Sequence, residues 1–141
     1  TEGLNLIIKK KKEKLVLGNI YSKRDWGHAK DFVKGMWLML QQDTPDDYVL
    51  ATNKSYSVKQ FIEKSFKLKD IQIKWKGEGI NEIGYDLNTG KKLIVIDKKY
   101  YRPTEVNELL GDYTKAKNKL NWEPSITFDE LIKEMVEYDC E

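Results

Sequence analysis

The chain has 141 residues, 40% hydrophobic and 11% aromatic, with 25 basic and 23 acidic side chains for a net charge of +2. That composition suits one globular domain and excludes a disordered tail, which lacks the aromatics for a core. The near-neutral balance argues against a nucleic-acid binder, and no apolar run reaches the roughly 20 residues of a membrane span. A single cysteine, Cys140, excludes an internal disulfide and fits a reducing, cytoplasmic setting. A single histidine, His28, leaves no His/Cys zinc set, so no metal site is expected. The first residue is Thr1, which fits a piece of a longer protein.

Leu15-Val16-Leu17, closed by Gly18-Asn19, reads as a buried strand entering a loop. From Asp25 to about Gln42, the residues Trp26, Ala29, Val33, Met36, Trp37 and Leu40 recur at three- and four-residue spacing and predict an amphipathic helix with that face buried. Tyr48 to Ala51 reads as a second short strand. Ser57 is expected to cap the next helix, with Gln60 completing a capping box, Tyr56 stapled on Phe61, and Val58, Phe61, Ile62 and Phe66 buried. Ile71 to Trp75 alternates as a half-exposed strand, Gly77 to Lys92 reads as a long loop with room for a hairpin, and Leu93 to Ile96 as a fully buried strand. A helix is expected from Asp112 to Leu120, stopping before Pro124. Thr127 and Glu130 make a second capping box, with Ile126 and Leu131 as its staple, opening a last helix through Met135 and Val136. The class is α/β, mixed helices and short strands, in one unit with no internal boundary.

The motifs are few. No glycine-rich dinucleotide loop occurs, so the chain carries no cofactor-phosphate cradle of its own. Tyr113 and Lys117 have the Tyr-x-x-x-Lys spacing of a reductase acid/base pair, but they sit on a lysine-rich surface helix, where a structural role is the better reading. Lys9 to Lys12 reads as a solvated helix end, and His28 as a structural histidine. The sharper signal is usage: 23 lysines against two arginines, Arg24 and Arg102. Arg grips phosphate with a planar fork that Lys lacks. Each arginine lies where an irregular stretch meets a helix or turn, and such loop ends concentrate binding residues. Two converging forks suit a diphosphate, with Glu105 as an acceptor for a sugar hydroxyl. The structural alternative is a pair of salt bridges, Arg24 to Asp31 and Arg102 to Glu105.

The blocks Leu17-Gly18-Asn19, Arg24-Asp25-Trp26-Gly27-His28-Ala29-Lys30-Asp31, Met36 to Gln42, Ala51-Thr52, Ser57 to Phe61, Tyr101-Arg102-Pro103-Thr104-Glu105-Val106, Leu110-Gly111-Asp112, Thr114-Lys115-Ala116 and Leu120-Asn121-Trp122 resemble the C-terminal part of the GDP-mannose 4,6-dehydratase family. This family belongs to the extended short-chain dehydrogenases/reductases. The likeness runs nearly the whole chain, to about Asp139.

That resemblance implies that residues 1–141 are the sugar-nucleotide-binding portion of a Rossmann-type enzyme whose NADP-binding N-terminal domain is absent from this chain. The parent would convert GDP-mannose to GDP-4-keto-6-deoxy-mannose, a precursor of GDP-fucose and GDP-rhamnose, as a homo-oligomer. Arg24 and Arg102 would bind the diphosphate and Glu105 a ribose, with Gly18 and Asn19 as further substrate contacts. No catalytic or cofactor-binding residue is expected here, so the chain alone would be inactive. Lys9 to Lys14 departs from the family pattern, and Gly77 to Lys92 matches weakly. Two alternatives stay open: a related sugar-nucleotide epimerase or reductase, and a stand-alone sugar-nucleotide- or protein-binding module.

Overall fold

A computed structural model describes residues 1–102 and 104–140. Pro103, inside one of the blocks above, lies outside the described residues. The element order is α1 (Glu2–Ile8), β1 (Leu15–Leu17), β2 (Lys23–Asp25), α2 (Ala29–Leu40), β3 (Ser55–Ser57), α3 (Val58–Lys67), β4 (Ile73–Lys76), β5 (Ile83–Asp86), β6 (Lys92–Ile96), α4 (Thr114–Leu120) and α5 (Phe128–Asp139), with 3₁₀ turns at Gly79–Asn81 and Lys98–Tyr100. The mixed α/β class holds. Where the sequence reads as one unit, the chain forms two compact units interleaved along it. The first comprises residues 1–22, 57–106 and 132–141, the second 23–56 and 107–131.

The first unit is built on a four-stranded sheet of order β1-β6-β5-β4. β1 runs parallel to β6, pairing Leu15 with Ile94 and Leu17 with Ile96, while β5 is antiparallel to both β6 and β4. Ile20, Ile62, Phe66, Leu93 and Ile94 are buried in this unit. β5 and its hairpin to β6 lie inside the stretch that reads as a loop. Ile83 and Tyr85 are its alternating hydrophobic positions, too few for periodicity to register. Of the strand expected to be fully buried, Leu93 and Ile94 are buried, while Val95 and Ile96 are half-covered. β4 alternates as expected. α1 packs Leu4 and Ile7 inward and ends in Lys9 to Lys12, all exposed, so the lysine run is a solvated helix end.

In the second unit, Ala116, Leu120 and Trp122 form a core with Phe32, Leu38, Met39, Tyr48, Leu50 and Tyr113 packed against it. Trp122 donates its indole N–H to the Asp31 carbonyl at 2.8 Å. Gly35 is buried on the same side of α2, and a Cβ there would fall 2.6 Å from a Leu50 methyl and 3.0 Å from the Trp122 nitrogen. The helix therefore enters its core by Asp31 and Gly35, not by the face expected. Val33, Met36, Trp37 and Leu40 are 56–82% exposed. Two further expectations are corrected here. Residues 23–25 form strand β2 ahead of the helix, which starts at Ala29, capped by His28. Tyr48 to Ala51 takes no regular strand structure, because a strand needs a ladder partner and none is paired to it among the described residues. Tyr56 stacks on Phe128, centroids 4.0 Å apart. The Thr127–Glu130 box forms, with the Glu130 carboxylate accepting the Thr127 amide at 2.7 Å and the Thr127 hydroxyl accepting the Glu130 amide at 3.3 Å.

Candidate functional site

The first unit assembles a loop onto a helix end. A helix leaves its first four N–H groups without intrahelical partners. In α3 the Ser57 hydroxyl accepts from the Gln60 amide at 3.1 Å, and the Gln60 side chain accepts the Ser57 amide at 2.8 Å, which completes the capping box read in the sequence. Two orphan donors remain, and residues 18–22 supply their acceptors: the Val58 amide donates to the Ser22 carbonyl at 3.2 Å and the Lys59 amide to the Ile20 carbonyl at 2.7 Å. Within that loop Asn19 Oδ1 accepts the Tyr21 amide at 2.9 Å. This turn fixes the Asn19 side chain.

β1 and β6 are parallel neighbours, so the loops that follow them leave from the same end of the sheet. Ligands in α/β folds gather at the carboxyl ends of parallel strands. The Asp97 amide donates to the Leu17 carbonyl at 2.8 Å, carrying the contact past the last ladder pair. Beyond it, a Cβ on Gly18 would sit 2.1 Å from the Tyr100 carbonyl oxygen, so only glycine lets the two segments approach this closely. Gly18 and Asn19 are thereby brought beside the stretch that enters Arg102. Lys98, Lys99 and Arg102 are exposed, and Glu105 is half-buried. This is a cationic sheet end suited to an anion. Gly18→Ala is expected to force these segments apart at a cost of about 1–3 kcal/mol. A thermal melt checks this, and an unchanged Tm would contradict the close approach.

Arg24 belongs to the second unit. Its Nη1 donates to the Lys23 carbonyl at 2.7 Å, and it lines a recess with Asp25, Phe32, Val49, Ala51 and Leu110. Asp25 pins that recess: it accepts from the Thr52 amide at 2.9 Å, the Thr52 hydroxyl at 2.6 Å and the Gly111 amide at 3.3 Å. Asn107 and Leu109 run alongside β2, with the Lys23 amide donating to the Asn107 carbonyl at 2.8 Å and the Leu109 amide to the Lys23 carbonyl at 3.1 Å. Asp31, the salt-bridge partner considered for Arg24, instead accepts from the Ser125 hydroxyl at 2.7 Å, the Ser125 amide at 3.1 Å and the Ile126 amide at 3.0 Å.

The other motif residues make structural contacts. His28 Nδ1 accepts the Lys30 amide at 3.0 Å as the cap of α2. Tyr113 meets the Trp122 ring edge-on at 5.8 Å, and Lys117 pairs with Glu123 at 2.7 Å on the surface.

Residues 1–135 match the family described as GDP-mannose 4,6 dehydratase. The chain belongs to that family. It is similar to the GDP-mannose 4,6 dehydratases of Dictyostelium discoideum (58% identical over 92% of this chain) and Homo sapiens (57% over 89%). The Drosophila melanogaster enzyme of the same name is 48% identical over the full 141 residues. The chain spans about a third of the length of these relatives, 34–36%. Among solved structures, RMD from Pseudomonas aeruginosa complexed with NADPH superposes with a TM-score of 0.75 at 15% identity, covering 99% of this chain and 40% of that one. The dTDP-glucose 4,6-dehydratase of Bacillus anthracis with NAD gives 0.67 at 19%, covering 96% and 36%. The fold is thus that of a portion of an extended short-chain dehydrogenase/reductase.

In this GDP-mannose 4,6 dehydratase family chain, the residues expected at the site fall into two groups. Gly18, Asn19, Arg102 and Glu105 share the first unit, and Arg24 stands in the second. Glu82 does not stand out in the sequence. It is only 2% exposed, yet it accepts from the Tyr21 hydroxyl and the Lys59 ammonium, each at 2.7 Å. Its partners are 61 and 23 residues distant in sequence, so no local pattern points to it.

Proposed function

We propose that this chain is the GDP-sugar-binding portion of a GDP-mannose 4,6-dehydratase, which converts GDP-mannose to GDP-4-keto-6-deoxy-mannose. The observation that carries the reading is the sheet end where Gly18 and Asn19 meet the segment bearing Arg102, in a chain of this family. In this reading Arg102 and Arg24 neutralise the diphosphate, Glu105 accepts a ribose hydroxyl, and Asn19 donates its side-chain amide to the ligand. Bound NADP would supply the hydride acceptor and donor that such a dehydratase needs. The 141 residues contain no glycine-rich loop to cradle it, so the cofactor is assigned to an N-terminal Rossmann portion outside this chain. The whole protein is read as a cytoplasmic homo-oligomer.

The test compares the 141-residue chain with the full-length protein containing it. The full-length protein is expected to consume GDP-mannose, releasing the 4-keto-6-deoxy product, while the 141-residue chain shows no turnover at equal molarity. Turnover by the short chain would overturn the division of labour. Full-length protein that binds GDP-mannose without dehydrating it would point to an epimerase or reductase.

A further inference from the structure

The stretch Gly77 to Lys92 carries the most deeply buried charge among the described residues of the first unit. Glu82 follows the 3₁₀ turn at Gly79–Asn81 and points both carboxylate oxygens at groups that hold the 18–22 loop. One takes the Tyr21 hydroxyl and the other the Lys59 ammonium, each at 2.7 Å; the ammonium lies 3.3 Å from the Tyr21 oxygen. Lys59 is fixed further by the ring faces of Trp75 and Tyr21, 4.6 and 5.0 Å from its nitrogen. Trp75 in turn donates its indole N–H to Glu63 at 2.7 Å. Burial opposes the charge on Lys59, but the Glu82 and Tyr21 hydrogen bonds outweigh it and raise its pKa; the Glu82 hydrogen bond likewise raises that of Tyr21. Removing one member of such a pair leaves the other charge buried and uncompensated.

The consequence for the site runs through the backbone. Tyr21 donates its amide to Asn19, and Lys59 donates its amide to Ile20. Glu82 therefore grips, by their side chains, the two residues whose main chains set the Asn19 turn. We propose that Glu82 is a positioning residue for this loop, holding Asn19 where the GDP moiety binds; the ligand half of the proposal rests on the function proposed above. The stretch 77–92 thereby gains a role, as the strut under a binding loop.

Two measurements on the full-length protein test it: amide exchange of residues 19–22 without ligand, and affinity for GDP. Tyr21→Phe deletes one hydroxyl from a half-exposed ring and leaves the ion pair, so the fold is retained. Exchange at 19–22 is expected to quicken and GDP binding to weaken about 5- to 20-fold, as befits a charged hydrogen bond acting at one remove. Glu82→Gln keeps an acceptor and should recover part of the affinity relative to Glu82→Met. The double variant Lys59→Met/Glu82→Met replaces the buried pair with apolar side chains, which restores stability but leaves Tyr21 without its partner. Its Tm is expected to return towards the parent value while GDP binding stays weak. If affinity returns together with Tm, or if Tyr21→Phe binds GDP like the parent, Glu82 is a structural residue and the proposal fails. If the unsubstituted protein itself does not bind GDP, the nucleotide reading beneath the proposal is what has failed.

Discussion

Arg102→Met and Arg24→Met are each expected to weaken GDP binding of the full-length protein by about 10- to 150-fold, with Arg→Lys variants falling between. A charge-assisted hydrogen bond is worth roughly 1.5–3 kcal/mol, which sets that range. Lys keeps the positive charge but not the two parallel N–H donors that match adjacent phosphate oxygens, so it recovers only part of the loss. Arg102 stands exposed at the cationic sheet end, and Arg24 lies half-buried in the recess that Asp25 pins. The competing reading, a surface ion pair such as Arg102 with Glu105, predicts a stability change below about 1 kcal/mol and no effect on the ligand. Titration calorimetry with GDP separates the two. If both Lys variants bind like the parent, the diphosphate role is lost.

Asp31→Asn is expected to destabilise the protein by about 3 kcal/mol, because it disturbs three hydrogen bonds to a buried carboxylate at once. Both backbone amides meet one oxygen, Oδ2, and the Ser125 hydroxyl meets the other. Asn can therefore keep its carbonyl toward the amides and its NH₂ toward the hydroxyl, but all three bonds lose the negative charge that strengthens each by about 1 kcal/mol. At roughly 3–4 °C per kcal/mol for a chain of this size, Tm should fall by about 10 °C. Burial works against the Asp31 charge, but the Ser125 hydroxyl and the Ile126 and Ser125 amides outweigh it, with His28 adding a smaller effect, and its pKa lies below the ordinary carboxylate value. A depressed folded pKa means this stabilisation is fully present above the unfolded value near 3.9 and fades as the pH drops through the folded one. The parent should therefore lose stability below about pH 4. Asp31→Asn should be less stable at pH 7 yet lose less between pH 5 and pH 3. Equal slopes in urea melts across that window would refute this.

Local signals in the sequence are reliable where the physics is local. Ser57 with Gln60 and Thr127 with Glu130 form their boxes because three residues suffice to close them. The alternation in β4 and the parallel-end glycine at Gly18 follow from equally short patterns. The elements that differ from expectation depend on distant partners. Apolar spacing shows that α2 has a hydrophobic stripe, but Trp122, some 90 residues on, decides which side of the helix enters this core. Tyr48 to Ala51 has the residues of a strand without a neighbour to pair with. Glu82 is invisible for the same reason: one acid among several in a glycine-rich stretch, made important only by Tyr21 and Lys59. Asp31 sits in the same family block as Arg24, and block membership alone does not say which acts on ligand and which ties down the chain.

The exposed stripe of Val33, Met36, Trp37 and Leu40 also bears on how any stability figure for the 141-residue chain should be read. Apolar area of this kind is removed from water by whatever binds it, and binding to the folded form adds to its stability by mass action. If copies of the chain cover this stripe for one another, the Tm of the isolated chain rises as more protein is loaded. Values taken at a single loading then describe an assembly equilibrium as much as a fold, and the Gly18 and Asp31 variants are best compared with the parent across a dilution series.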